Sequence, residues 1–469
     1  MKTIAIYFLV LLPHTILLSQ DSLKQLAYQY VDDLAPQLVQ FKDSIGKWAE
    51  PSFEEFRTSQ LLKEQLQRAG FRIEHKAAGI ETMFVATYGQ SGPTIALLGE
   101  YDADVLENGE TAHASGHHWL GVGSLGAALV LKQLVATGQL DAQIQYIGST
   151  AEGGLGGRSY LARNQYFKKL DLAIFWHPSP VSWASTRSWD ALIDLDLAFI
   201  GTKEKAIEVP KSTTNALQES LYFMQYLNDL VINADSTMHI HYNLETPKAS
   251  YIYTADTVTA KVRIQSTEQA VANQVYQLIQ DKVKQRSTVA DCKISLSLFR
   301  AIHAFIPNHT LMEVVNRNIL KMGPINFSEE EQHQSRQIQA QFSLPTQGLK
   351  AKPLPFRATK EKQQLRKYAS DIGDVSWWAP TLSFVSTCFP TGIPIGEAPA
   401  AELAFHSFGE KGMCYAVKVI CASVIDYLQD EQLQQAIKEE FRQRLAGQSY
   451  SIQQPDIHPK AETNNKRSK

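Results

Sequence analysis

The chain has 469 residues, 44% of them hydrophobic and 20% charged, with a formal net charge of −3. This composition excludes disordered, collagen-like and linker-type chains, and the near balance of charge argues against a protein held to nucleic acid by a basic surface. At roughly 100–200 residues per domain, the length calls for two or three domains, or one large domain carrying an insertion.

Lys2 precedes an apolar run, Thr3 to Leu12, which ends at Pro13-His14. The run is shorter than the roughly 20 residues needed to cross a bilayer. With the small Ser19 ahead of Gln20-Asp21, it predicts a signal peptide over 1–20, export to the periplasm or the exterior, and no membrane segment after cleavage. Residues 21–75 carry apolar positions at three- and four-residue spacing and read as helices, the second stopping at Gly70. FRIEHKA (71–77), TMFVATYG (82–89) and TIALLGEYD (94–102) read as strands, and GVGSLGAALVLKQLVATG (121–138) as a helix. QIQYIGSTAE (143–152) is a buried strand, SYLARNQYFKKL (159–170) a helix and DLAIFWHP (171–178) a strand. Alternating strands and helices predict an α/β layer with a largely parallel sheet.

From 186 to 305 the order becomes β-α-β-β-α-β with alternating strands, the pattern of a ferredoxin-like unit. Beyond it, residues 308–323 read as a helix, 341–370 as a connector, DIGDVSWWAPTLSFVS (371–386) as strand and 410–445 as one long helical segment. Residues 447–469 lack apolar periodicity and read as a disordered tail. The α/β domain is therefore expected in two parts, 21–185 and 306–446, around an inserted domain. Cys292, Cys388, Cys414 and Cys421 are too few and too scattered for a disulfide scaffold, and read as buried thiols.

Ligand-type residues gather at the C-terminal ends of the expected buried strands: Glu100 and Asp102, Glu152, and His177. Sites in open α/β sheets lie there. Between the first two, HASGHH (113–118) supplies His113, His117 and His118 in a short loop before a Gly-rich helix start. Imidazoles and carboxylates together suit Zn, Mn or Ni; spacing alone leaves a metal site and solvated loop residues as the two readings.

GEYDA (99–103), HASGHHWLGVGSLGAA (113–128), TAEGGLGGRSYLAR (150–163), LDLAIFWHP (170–178), SDIGDVSW (370–377) and GEKGMCYAVK (409–418), in this order, resemble the dinuclear metal amidohydrolases and peptidases of the aminoacylase and carboxypeptidase type, especially those like aminobenzoyl-glutamate hydrolase. The resemblance implies a zinc-peptidase-like catalytic domain with an inserted lid that commonly dimerises, and hydrolysis of an amide bond in N-acyl or aminobenzoyl amino acids or dipeptides. It implies Glu152 as general base, Asp102 as the residue orienting a ligand, and His117 and His177 as metal ligands, with His118, His113 and a displaced His406 as further candidates.

Against the family pattern, Ser115 stands for a metal-bridging Cys, Gly153 for a second Glu ligand and Gly396 for the last His ligand. In the lid, Lys205 replaces a His that acts across the dimer, and Tyr251 replaces an Asn. These departures point away from dinuclear catalysis. The reading they favour is an exported protein that keeps fold, pocket and lid but binds a small amide or amino-acid-like ligand, or a partner, without hydrolysing it. The alternative is an active hydrolase with a rearranged mononuclear site. The cofactor expectation is one divalent ion, Zn, Mn or Co, or none; the partner expectation is a second copy bound through the lid.

Overall fold

The computed structural model describes residues 18–152, 156–184, 186, 188–202, 215–232, 237–246, 252–253, 255–289, 292–356 and 369–451. Residues 1–17 of the expected signal peptide, and Gly153, Lys205 and Tyr251, lie outside the described residues.

Helix α1 (Gln20–Trp48) is capped by Ser19, whose hydroxyl accepts the Ser22 N–H. Helix α2 (Phe56–Arg68) leads into strands β1 (Arg72–His75), β2 (Phe84–Tyr88) and β3 (Thr94–Glu100), followed by a small hairpin, β4 (Asp104–Val105) and β5 (Thr111–Ala112). Helix α3 (His117–Ala136), β6 (Gln143–Ser149), α4 (Gly157–Arg163), β7 (Leu172–Ser179) and β8 (Trp183–Ala184) complete the first part. The inserted unit runs β9 (Ala191–Ile200), α5 (Ala216–Ile232), β10 (Met238–Glu245), β11 (Thr257–Ser266), α6 (Gln269–Val289) and β12 (Lys293–Ile302). The chain then returns through α7 (His309–Met322), α8 (Glu329–Gln341), α9 (Ile372–Ser376), β13 (Thr381–Thr387), α10 (Ala398–Ala401), α11 (Ser407–Leu428) and α12 (Glu431–Leu445).

The large sheet has the order β1-β2-β6-β3-β7-β13-β8. Its four central strands, β6, β3, β7 and β13, are parallel, and β1, β2 and β8 pair antiparallel towards the edges. Central strands covered on both faces should be apolar throughout, and β3 is buried at every residue from Ile95 to Glu100. Helices α1, α3 and α11 pack on one another, with α3 against β3 and α11 against β13. The fold is α/β with a largely parallel central sheet, as the strand–helix alternation predicts.

The inserted unit has its own sheet, β10-β11-β9-β12, antiparallel throughout, and its own apolar core under α5 and α6. Strict alternation along β11 puts Val258, Ala260, Val262 and Ile264 inside and Thr257, Thr259, Lys261 and Arg263 outside.

Five local expectations are corrected. HASGHH is not all loop: α3 starts at His117, so His117 and His118 stand in its first turn. DIGDVSW forms the short helix α9 before the strand begins at Thr381, because Asp371 and Asp374 are drawn to Arg158 and Ser159 rather than into a ladder. The helix expected over 159–170 ends at Arg163. The long C-terminal helix divides at Gln429-Asp430, where Asp430 caps α12 by accepting the Leu433 N–H. Tyr450, inside the expected disordered tail, is packed against the body of the protein: its ring stacks on His303 with centroids 4.2 Å apart.

Candidate metal centre

Three parallel neighbours, β6, β3 and β7, carry their C-terminal ends to one side of the sheet. Glu100, the last residue of β3, lies opposite Ser149, the last of β6, and His177 lies close to the end of β7. Helix α3 reaches them because glycine stands where it faces β3. A Cβ on Gly121 would lie 2.6 Å from the Glu100 carbonyl oxygen, so only glycine lets the helix sit this close to the strand. After β6, Ala151 adopts a left-handed φ of 57°, an uncommon conformation for a non-glycine residue, immediately before Glu152.

His117 is held from behind. Its Nδ1 is 3.0 Å from Asp102 Oδ1 and 3.1 Å from the Asp102 carbonyl, so Nδ1 carries a hydrogen and Nε2 faces Glu100 Oε2 at 3.4 Å. Burial works against a charged ring here, but Asp102, followed by Glu100 and Asp104, holds the His117 pKa well above the imidazole range. His177 Nδ1 donates to the Pro178 carbonyl at 2.7 Å, which leaves its Nε2 as a lone pair. Burial, then the charge of His117, pushes His177 down to about 3. One donor atom each from Glu100, His117 and His177 lie within 4.8 Å of one another.

The donor set fits a divalent ion. Imidazoles that bind a metal usually give their other N–H to a carboxylate or a backbone carbonyl, and Asp102 and Pro178 accept from them in this way. Glu100 Oε2 is buried with no hydrogen-bond partner, a costly arrangement for a carboxylate oxygen unless a cation or proton answers it.

A second group shares Glu100. Carboxylate oxygens of Glu100, Glu152 and Asp371 also lie within 4.8 Å of one another. Among them runs Arg158, fully buried. Its Nη2 pairs with Glu100 and Asp371, its Nε donates to Asp371 Oδ1 at 2.7 Å, and its backbone N–H donates to Asp371 Oδ2 at 2.8 Å. Burial raises the Glu100 and Asp371 pKa values against the opposing pull of Arg158. A further buried carboxyl, Glu55, accepts from the Thr150 hydroxyl and, at 3.2 Å, from the Ala151 N–H; burial, then the charge of Asp102, raises it to about 8.

No known family model matches the chain. It is 25% identical, over 90% of its length and 96% of the relative's, to a subunit of the p-aminobenzoyl-glutamate hydrolase of Escherichia coli strain K12. Among solved structures, the fold is that of an aminobenzoyl-glutamate utilization protein from Klebsiella pneumoniae (TM-score 0.62, 17% identity, 86% of this chain and 98% of that one). It is also that of a dinuclear metal-binding peptidase of Bacillus subtilis (TM-score 0.56, 11% identity, 85% and 99%). Over nearly its whole length the chain is similar in sequence to an amidohydrolase subunit of the aminobenzoyl-glutamate type and shares the fold of a dinuclear metal-binding peptidase.

Two positions that depart from the expected pattern are neighbours: a Cβ on Gly396 would lie 3.7 Å from Ser115 Oγ. Ser115 donates from Oγ to Asp104 Oδ1 and from its N–H to Asp104 Oδ2, both at 2.7 Å. The Ser115 hydroxyl hydrogen is thus taken by Asp104, and Gly396 has no side chain to offer an ion.

Three further expected candidates, His118, His113 and His406, lie outside both groups. His118 follows His117 by one residue, so the two rings cannot share a helix face. Its Nε2 donates to the Ala404 carbonyl at 2.9 Å, its ring packs on His113 and Trp119, and burial drives its pKa well below the usual value. His113 is buried, pushed down to about 4 by burial and then by His117, and stays neutral. His406 precedes α11 with its ring stacked on Phe408, and among the described residues it joins neither carboxylate group.

Glu100 is visible in the sequence as a ligand-type residue at a strand end, but the family pattern passes over it in favour of Asp102. Asp102 lies behind His117 and orients it. Arg158 and Asp371 are missed. Both fall within the family-like segments, but 213 residues separate them and no local pattern joins them.

Proposed function

We propose that this protein is an exported amidohydrolase working with one divalent ion, Zn, Mn or Co, held by Glu100, His117 and His177. Its substrates on this reading are N-acyl or aminobenzoyl amino acids, or dipeptides. The observation that carries the proposal is the convergence of two back-anchored imidazoles on the unpartnered Glu100 Oε2. Three protein ligands and an open position are the usual catalytic arrangement.

When bound, the ion supplies Lewis acidity to the amide carbonyl and acidifies the attacking water. Glu152 takes the water's proton and passes it to the leaving nitrogen. Asp102 keeps the His117 ring in register, and Arg158 fixes Glu100 and Asp371. Export rests on Lys2 and the apolar run that follows it. Dimerisation through the lid rests on its two open sheet edges, β10 and β12, and on the exposed Leu217, Leu221 and Tyr222 of α5.

A second reading, a pseudoenzyme that binds its ligand without cleaving it, draws on Ser115 and Gly396. The first spends its hydroxyl hydrogen on Asp104 and the second has no side chain. Purified mature protein decides between the readings. One tightly bound metal ion per chain, lost in His117→Ala, with hydrolysis of N-acyl-glutamates or dipeptides, supports the enzyme. No tight metal and no hydrolysis with added Zn, Mn or Co overturns it.

A further inference from the structure

Glu100, Glu152 and Asp371 would repel one another in a dry interior unless a cation neutralised them. A divalent metal ion could supply that charge. Here a side chain is already in place. Arg158 enters between Glu100 and Asp371 with a rigid, permanently charged guanidinium, a shape matched to carboxylate pairs, and Asp371 grips both its Nε and its backbone N–H.

The group is anchored from several sides. The Arg158 guanidinium lies 5.1 Å from the centre of the Phe175 ring on β7. The next residue, Ser159, donates from Oγ to Asp374 Oδ2 at 2.6 Å, so helix α4 is tied twice to α9. Among the described residues, Arg158 Nη1 has no hydrogen-bond partner. The guanidinium is thus held along one edge by carboxylates and is not saturated as a purely structural arginine would be. Two positions where the family pattern places further metal ligands carry Ser115, whose hydroxyl donates to Asp104, and Gly396, which has no side chain.

We propose that Arg158 stands in for a metal ion at this second carboxylate group: it supplies the positive charge among Glu100, Glu152 and Asp371, and excludes a divalent cation from that group. The inference rests on the single-ion reading of the Glu100, His117 and His177 group, but it makes its own claim, about a difference between variants.

The test counts metal ions in full-length mature protein stripped with chelator, then dialysed against Zn²⁺ or Co²⁺ and analysed by mass spectrometry for bound equivalents. Wild type is expected to hold one equivalent. Arg158→Gln, verified as folded by circular dichroism, is expected to hold one more than wild type, whereas Arg158→Lys, which keeps the charge, is expected to match wild type. A folded Arg158→Gln with no added equivalent, or a wild type that takes two with Arg158 in place, overturns the proposal. Should Arg158→Gln not fold, the wild-type count decides: a second equivalent overturns the proposal and its absence at excess metal supports it. A wild type with no metal and a variant with one would sustain the role of Arg158 while removing the hydrolase reading, so the two failures are distinguishable.

Discussion

Asp102 Oδ1 lies 3.0 Å from His117 Nδ1, on the opposite edge of the ring from Glu100. This contact fixes which nitrogen of His117 carries hydrogen and which is offered to the centre. Asp102 is buried and also accepts from the Ser52 hydroxyl at 3.3 Å, so an amide of the same shape fits its place. Asp102→Asn should keep the fold and weaken metal binding by about 10–100-fold, the usual effect of losing such an orienting partner. Titration calorimetry with Zn²⁺ measures it. Unchanged affinity would show that the ring is held by the backbone carbonyl alone.

His177 gives a second prediction. Its Nε2 is free because Pro178 holds Nδ1. A ligand that binds only the folded state stabilises it by RT ln(1 + [L]/Kd), about 2.7 kcal/mol at a hundredfold excess over Kd. Adding Zn²⁺ to chelator-stripped wild type should therefore raise Tm by several degrees, and chelator should reverse the rise. In His177→Ala the metal-dependent shift should largely vanish at the same concentration, while Tm without metal changes little. Scanning calorimetry at fixed metal concentration reads both.

Much of this centre is legible in the sequence because the central strands are short apolar runs, such as TIALLG and LAIFW, that end in ligand-type residues. The strand–helix alternation also points to the parallel core. What periodicity cannot supply is strand order. β3 lies between β6 and β7, and that arrangement, not any local motif, brings Glu100 to both His177 and Glu152. The pairing of Arg158 with Asp371 depends in turn on α4 meeting α9 across the fold. In DIGDVSW, local β character loses to tertiary hydrogen bonds, and Tyr450 stays hidden because a single aromatic in a polar tail has no period to reveal it.

Acid stability should depend on Glu331. Its carboxylate accepts the Ser328 N–H at 2.7 Å in a capping box on α8, and meets Ser407 Oγ at 2.7 Å and Lys411 Nζ at 2.6 Å from α11. Burial alone would raise its pKa, but the bonds from Lys411, Ser407 and Ser328 lower it below the ordinary carboxylate value of 4.5. A depressed folded-state pKa gives stability that is complete above the unfolded value and is lost as pH falls through the folded value. Wild type should therefore lose stability on acidification below about 4.5. Glu331→Gln should be less stable than wild type by about 1–3 kcal/mol at pH 7, with the difference narrowing as the pH falls. Urea unfolding at pH 7 and pH 4 compares them; a constant gap would show that the charge of Glu331 is not what its partners recognise.

Tyr450 ties the C-terminal segment to the junction between the inserted unit and the α/β domain. Its ring stacks on His303, just after β12, and lies 5.6 Å from the Trp378 ring, measured between centroids. His303 is itself fully buried and bonded through Nδ1 to Asp374 Oδ1 at 2.7 Å, and Trp377 Nε1 donates to the Ala304 carbonyl at 2.8 Å. The chain therefore leaves the lid through a contact that the tail covers. Tyr450→Ala should remove buried aromatic area and an aromatic stack, together worth about 1–3 kcal/mol. Tyr450→Phe should cost much less, because stacking rather than the hydroxyl carries the contact. Truncation after residue 449 should match Tyr450→Ala in thermal unfolding. If both leave Tm unchanged, the ring is a passive cover and the junction is held by Asp374 and Trp377 without it.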